Sequence, residues 1–320
     1  MELREFELVQ RIIKLLDIKE VDDCAILPFG KEYIVITTDM LHKSTDFPDS
    51  MNPWQIGWMA VAVNLSDIAA MGAKPCGVLM AIGLPRNISL QFFEEIMNGM
   101  NACAKRYNTK VIGGDIDSHQ ELTLVGNAIG IVQKDLIIKR KGAKVGDLVC
   151  VTGNIGDAAA GSVALEVLKN DYNIPDNIKN TFITALFEPK PRIEEGMALA
   201  KSKVVTSMMD ISDGLAISLH ELARINKIGF KIYWNRVPIL KEMKDIFNLQ
   251  KLLELVLYTG GDFELLFTVN PYKLEHAKRT CNFTVIGEVI ENGVFIEING
   301  VKEKLDDRGY EHFRQKVQKL

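Results

Sequence analysis

The chain has 320 residues, 47% of them hydrophobic and 25% charged, a profile that excludes a disordered, collagen-like or coiled-coil protein. Its 38 Lys and Arg against 42 Asp and Glu leave a net charge of −4, without the basic excess that nucleic-acid phosphates demand. No run of about 18 apolar residues predicts a membrane span, the acidic start MELREFELVQ does not read as a signal peptide, and five scattered cysteines without a CxxC pair predict reduced thiols in a cytoplasmic protein.

At about 150 residues per domain, the length predicts two domains. Residues 1–16 read as a helix, with Phe6, Val9, Ile12, Ile13 and Leu16 at helical spacing. YIVITTD (33–39) is a strand ending in Asp39. Pro53 opens a helix to about Met71, which Gly72 and Pro75 stop. Residues 76–84 form a strand, 89–107 a long amphipathic helix, 110–115 a short strand into a turn, and 122–132 another strand. The charged connector 139–149 marks a boundary near residue 140, giving domains 1–139 and 140–320. Beyond it, 148–153 is a strand and a small-residue helix starts near Asp157. Residues 176–200 hold loop and helix, 204–210 a strand, and SDGLAISLHELARI a helix. Residues 257–269 hold a turn and a strand, and the end turns back at Asn299-Gly300 as a hairpin. Strands and helices do not alternate strictly, so the fold class is α+β.

Carboxylates recur beside Gly, Thr or Ser at strand ends: Asp22 and Asp23, Asp39 after TT, Asp115 after GG, Asp210 and Asp213 around Ser212, and Asp262 after GG. A single Asp in a turn caps a helix or makes an Asx-turn. Several brought together repel, by roughly 4 kcal/mol for two charges about 4 Å apart at an effective dielectric of about 20, and so need cations. Hard cations such as Mg²⁺ take such oxygens and keep waters in the rest of the shell. Asp67 continues the apolar face formed by Ile56, Ala60 and Val63, with Asn64 one turn earlier. A carboxylate there must meet a cation or a base. No P-loop, kinase catalytic loop, zinc spacing or G-x-S-x-G elbow occurs, and VTGNIGDAAAG lacks the GxGxxG spacing. Metal-assisted phosphoryl transfer without a P-loop is the chemistry this leaves.

DDCAIL (22–27), TTDML (37–41), AVNLSDIAAMGAKP (62–75), VIGGD (111–115), KRKGAKVGD (139–147), VTGNIGDAAAG (151–161), PKPRIEEG (189–196), DISDGL (210–215), GGDFELLFT (260–268) and GYEHF (309–313) run in that order over nearly the whole chain. On these motifs the chain resembles the thiamine-monophosphate kinase family, in the superfamily of aminoimidazole ribonucleotide synthetase and selenophosphate synthetase. The resemblance implies an α+β N-terminal domain that dimerises through its sheet, an α+β C-terminal domain, and ATP between them. It implies direct transfer from ATP to thiamine monophosphate, giving thiamine diphosphate, with several Mg²⁺ ions and a homodimer. Asp23, Asp39, Asp67, Asp115, Asp210 and Asp213 fall on the family's Mg²⁺ acids, and Thr37 and Thr38 on oxygen donors beside them. Tyr107, Gly114, Asp115, Arg140 and Ser212 fall on ATP-contacting positions, Arg140 as a charge stabiliser. Tyr310 falls on an aromatic substrate contact. Asp46 stands where the bacterial pattern usually carries His, and Gly261 where it carries Glu. Both changes touch the acceptor end, where Asp46, Asp262 or Glu264 would meet a thiazolium cation. Two alternatives stay open: another ATP-dependent member of the superfamily with a different acceptor, and a nucleotide-binding dimer without turnover.

Overall fold

The computed structural model describes residues 5–19, 21–166 and 172–311. The first half holds α1 (Glu5–Leu15), β1 (Ala25–Phe29), β2 (Glu32–His42), α2 (Pro53–Ala70), β3 (Lys74–Leu84), α3 (Leu90–Arg106), β4 (Val111–Ser118) and β5 (Thr123–Gln133). Its sheet runs β1-β2-β5-β3-β4. Only β3 and β4 pair in parallel.

The second half holds β6 (Leu148–Val151), α4 (Asp157–Leu165), α5 (Asp176–Phe187), α6 (Ile193–Ser202), β7 (Val205–Ile211), α7 (Leu215–Asn226), β8 (Gly229–Tyr233) and α8 (Lys241–Ile246). It continues with α9 (Leu249–Tyr258), β9 (Glu264–Val269), α10 (Leu274–Ala277), β10 (Thr284–Ile290), β11 (Val294–Ile298) and β12 (Val301–Lys304). Its seven-stranded sheet runs β12-β11-β8-β10-β6-β9-β7. No described helix is long and apolar enough to cross a membrane.

The position of α2 organises the molecule. Asn52 and Gln55 close a capping box around Pro53, which fixes its start. Thirteen of its 18 residues are buried, because it packs on β2 and β5 on one side and on β7, β9 and α6 on the other. A helix apolar all round is one buried all round. One hydrophobic cluster therefore joins Val35, Leu65 and Ile68 of the first half to Met208, Leu265 and Phe267 of the second.

Side chains alternate across the first sheet. Val35 and Thr37 face α2 and are buried. The opposite face is uncovered, leaving Leu27 51%, Phe29 62% and Met40 57% exposed. The register puts Met40, Val125, Ala81 and Asp115 side by side across that open face.

The hairpin at Asn299-Gly300 forms with both residues at positive φ, as a two-residue turn requires. Three expectations change. The segment around Gly113-Gly114 is not a turn but the middle of β4. A side chain at Gly114 would put its Cβ 1.8 Å from the Met80 carbonyl oxygen, so the glycine serves close strand approach. The 1–16 helix is observed as Glu5–Leu15, and residues 1–4 lie outside the described residues. Val9, Ile12 and the following Leu16 remain 40%, 50% and 70% exposed. Further elements lie at β1, at β10 and between residues 228 and 258. β1 carries Pro28 on a sheet edge, and β10 contains Gly287 at a register shift; both mask a strand pattern.

Candidate active site

Four segments converge where α2 meets both sheets. The turn before β1 supplies Asp22 and Asp23, β2 supplies Thr37 and Asp39, α2 supplies Asn64, Ser66 and Asp67, and the end of β7 supplies Asp210. One oxygen each of Asp23, Asp67 and Asp210 lie within 4.8 Å of one another.

Local bonds fix these side chains. The Thr37 hydroxyl donates to Asp67 Oδ2. The Ser66 hydroxyl donates to Asp210 Oδ2 at 2.6 Å. The Asp39 backbone N–H donates to Asn64 Oδ1 at 3.2 Å. Arg140, on the connector between the halves, enters the cluster as its one cation among the described residues. Its Nη2 donates to Asp23 Oδ1 at 2.7 Å and its Nη1 to Glu221 at 3.1 Å, while its backbone N–H donates to Asp22 at 3.0 Å.

One guanidinium does not balance the acids. Burial, then the charges of Asp210, Asp39 and Asp23, hold Asp67 well above the usual carboxylate range. Burial and Asp23 push Asp210 up to about 8. Burial lifts Asp39 to about 6, and burial with Asp23 lifts Asp22 to about 6. Burial pulls the Arg140 pKa down, but Asp23, Glu221 and Asp210 outweigh it and keep the guanidinium charged. Asp23 Oδ2 and Asp39 Oδ2 are buried without a hydrogen-bond partner. Orphaned carboxylate oxygens beside carboxyls that resist ionisation are a donor set lacking a cation. Hard divalent ions with oxygen ligands fit it.

The other expected residues lie in different places. Thr38 points to the opposite face of β2 from Thr37, and its hydroxyl donates to the Gly126 carbonyl at 2.9 Å. Asp213 is exposed one turn past Asp210, and its carbonyl accepts the Tyr310 N–H at 2.9 Å. Burial, then the charges of Asp46, Asp213 and Glu5, hold the Tyr310 hydroxyl above its usual range. Asp46 Oδ2 accepts the His42 N–H and the Thr45 hydroxyl, both at 2.7 Å. The rest of GYEHF beyond Glu311 lies outside the described residues. The Ser212 carbonyl accepts the Gly261 N–H at 2.7 Å. Asp262 caps α4 and lines a cavity of about 220 Å³ with Asp157, Glu188, Arg192 and Glu264.

Tyr107 ends α3 and lines a separate cavity of about 340 Å³ with Lys74, Pro75, Ile193 and Met197. Gly114 and Asp115 stand exposed on β4, three strands from Asp39. They are not part of the carboxylate cluster within this chain.

Ser66 and Glu221 were not legible as site residues. Ser66 carried a signal, a buried hydroxyl on an apolar helix beside Asp67. Glu221 carried none, since its partner Arg140 is 81 residues away. The pair of Arg192 and Glu264, which also takes the Thr152 hydroxyl at 2.6 Å, joins α6 to β9 in the wall of the cavity that Asp262 lines.

Comparison with known proteins bears on the whole chain. Residues 21–132 match the family described as AIR synthase related protein, N-terminal domain, and residues 144–299 the corresponding C-terminal domain. The chain is 43% identical over 291 residues to the thiamine-monophosphate kinase of Methanospirillum hungatei, covering 91% of this chain and 92% of that one. It is 38% identical over 318 residues to that of Archaeoglobus fulgidus, covering 97% and 98%. The solved structure of AaThiL complexed with AMPPCP and TMP superposes with a TM-score of 0.84 at 30% identity over 97% of each chain. Escherichia coli HypE, at 18% identity and a TM-score of 0.71, shares the fold over 94% of this chain.

Proposed function

The chain belongs to the thiamine-monophosphate kinase family, and on that premise we infer that it transfers the γ-phosphoryl group of ATP to thiamine monophosphate, giving thiamine diphosphate and ADP. The observation that carries this reading is the buried carboxylate cluster on a chain that aligns end to end with kinases of that name. The AMPPCP and TMP held by the AaThiL relative supply the two substrate classes.

Two phosphate-bearing anions must meet in this reaction, so catalysis is positioning and charge neutralisation. Asp23, Asp39, Asp67 and Asp210 would hold Mg²⁺, with Thr37 keeping Asp67 in place. Bound there, the ions would neutralise phosphate oxygens of donor and acceptor. The Nε–H of Arg140 is buried without an acceptor, and the guanidinium would offer donors to a phosphate oxygen. No side-chain base is needed, because a phosphate monoester oxygen is already a nucleophile. Asp46 and Tyr310 would offer a carboxylate and an aromatic ring to a thiazolium cation. The free cysteines favour a reducing, cytoplasmic setting.

The experiment is an Mg²⁺-ATP assay with thiamine monophosphate and thiamine as separate acceptors. The expected result is one ADP per thiamine diphosphate, and no product from thiamine. Turnover of thiamine alone would overturn the acceptor assignment.

The assembly that fits is a homodimer. The open face of the first sheet exposes Leu27, Phe29, Met40 and Leu79, which a second copy would cover. Asp115 lies on that face. Face-to-face packing of two sheets brings the edge strand β4 of one copy toward β1 of the other, beside Asp23. Asp115 then completes the cluster of the neighbouring copy. Refolding Asp67→Asn and Asp115→Asn chains together tests this. Recovery of up to about one quarter of wild-type activity is expected, since half the dimers are mixed and one of their two sites is intact. Absence of recovery would sink the shared site.

A further inference from the structure

The carboxylate of Asp262 is occupied in an unusual way. α4 begins at Gly156, which has no side chain to cap it. Asp262, more than one hundred residues further on, supplies the cap: Oδ2 accepts the Gly156 N–H at 2.8 Å and Oδ1 the Ala158 N–H at 3.3 Å. Each oxygen thus accepts a backbone donor of α4.

The residues around Asp262 grip the catalytic strand end. The Gly261 N–H donates to the Ser212 carbonyl at 2.7 Å and the Phe263 N–H to the Ile211 carbonyl at 2.9 Å. Gly260 packs so closely that a Cβ there would lie 2.1 Å from the Ser212 oxygen. Leu265 pairs with Asp210 itself. A continuous path runs from the α4 N-terminus through Asp262 and two glycines to Ser212 and Asp213, directly after Asp210.

We propose that Asp262 is a positioning residue, which fixes the Ile211–Asp213 segment that follows Asp210 of the cluster by pinning the 260–263 loop to α4. The proposal rests on the kinase reading above. It assigns Asp262 to the nucleotide and metal side of the reaction, not to acceptor contact. A misplacement of about 1 Å at a reacting geometry costs on the order of 100-fold in rate, so a loop anchor of this kind is kinetically visible.

The test compares Asp262→Asn, Asp262→Glu and, as control, Ser89→Ala, which removes a side-chain helix cap from α3, away from the site. Asn can cap only one of the two N–H groups. It is expected to raise the half-saturating Mg²⁺ and the KM for ATP roughly tenfold, with the KM for thiamine monophosphate changed less than about twofold. Glu keeps a carboxylate cap but displaces the loop by one methylene. It is expected to raise half-saturating Mg²⁺ about threefold while the melting temperature stays near wild type. Ser89→Ala should lose stability and keep its kinetic constants. Mg²⁺-dependent binding of AMPPCP, followed by calorimetry, reads the same shift without turnover. Failure of the kinase reading would show in the wild type, which would then not turn over. A rise confined to the KM for thiamine monophosphate, or variants indistinguishable from wild type, would overturn the proposal.

Discussion

Asp67→Asn is expected to abolish turnover, by at least about 10³-fold, while raising the melting temperature of the metal-free protein. The two effects have one cause. Asp67 sits in a pocket with Asp23 and Asp210, and its ionised form is opposed by burial and by those neighbours. Asn keeps the acceptor for the Thr37 hydroxyl and removes the charge. The fold therefore gains relief from repulsion, and the cation loses a ligand. Melting in EDTA and in Mg²⁺-ATP, beside a steady-state assay, separates these effects. The variant should melt higher than wild type in EDTA and gain less from Mg²⁺-ATP. Near-normal rates at saturating Mg²⁺ would sink the metal role of the cluster.

The metal-free protein is expected to lose stability as pH rises. Asp22 and Asp39 titrate near 6, Asp262 near 7 and Asp210 near 8, all above the usual carboxylate value of 3.8. Between about pH 4 and 8 the folded chain holds more protons than the unfolded one, so unfolding releases protons and is favoured by base. The folded state carries no penalty from these groups below the unfolded pKa and the full penalty above the folded one. In EDTA the melting temperature should fall by about 5–10 °C between pH 5.5 and pH 8. Mg²⁺ competes with the protons of the cluster carboxylates, so its stabilising effect should grow over the same interval. Calorimetric scans at both pH values with and without Mg²⁺ check the sign. A melting temperature that climbs with pH in EDTA would contradict the crowded-acid picture.

Much of this site could be read in the sequence, for reasons that differ by residue. Asp67 was legible because it interrupts an apolar helix face, a local pattern. The family resemblance makes both threonines of the TT doublet before Asp39 oxygen donors. Strand alternation sends neighbouring side chains to opposite faces, so only Thr37 reaches Asp67. Arg140 was expected at a phosphate. In the fold its guanidinium is held by Asp23 and Glu221, because the connector runs through the cluster. The separation of Asp115 from the other acids depends on sheet order, which no local pattern encodes. Asp262 sits in a Gly-Gly-Asp run like Asp115, yet it caps a helix at Gly156, 106 residues earlier. Short motifs identify reactive residue types; the long-range pairing decides what each one touches.

The burial of α2 on two sides has a consequence for synthesis. Residues up to 139 emerge from the ribosome before β7, β9 and α6 exist. Until those arrive, the side of α2 that carries Ser66 against Asp210 and Ala69 against Gly196 has nothing to cover it. The nascent first half is therefore a sticky intermediate whose apolar seam waits on the last hundred or so residues. The two matched segments are separable as sequence but not as folding units. Expressed alone, the first would present to chaperones the surface on which the finished protein builds its reaction centre.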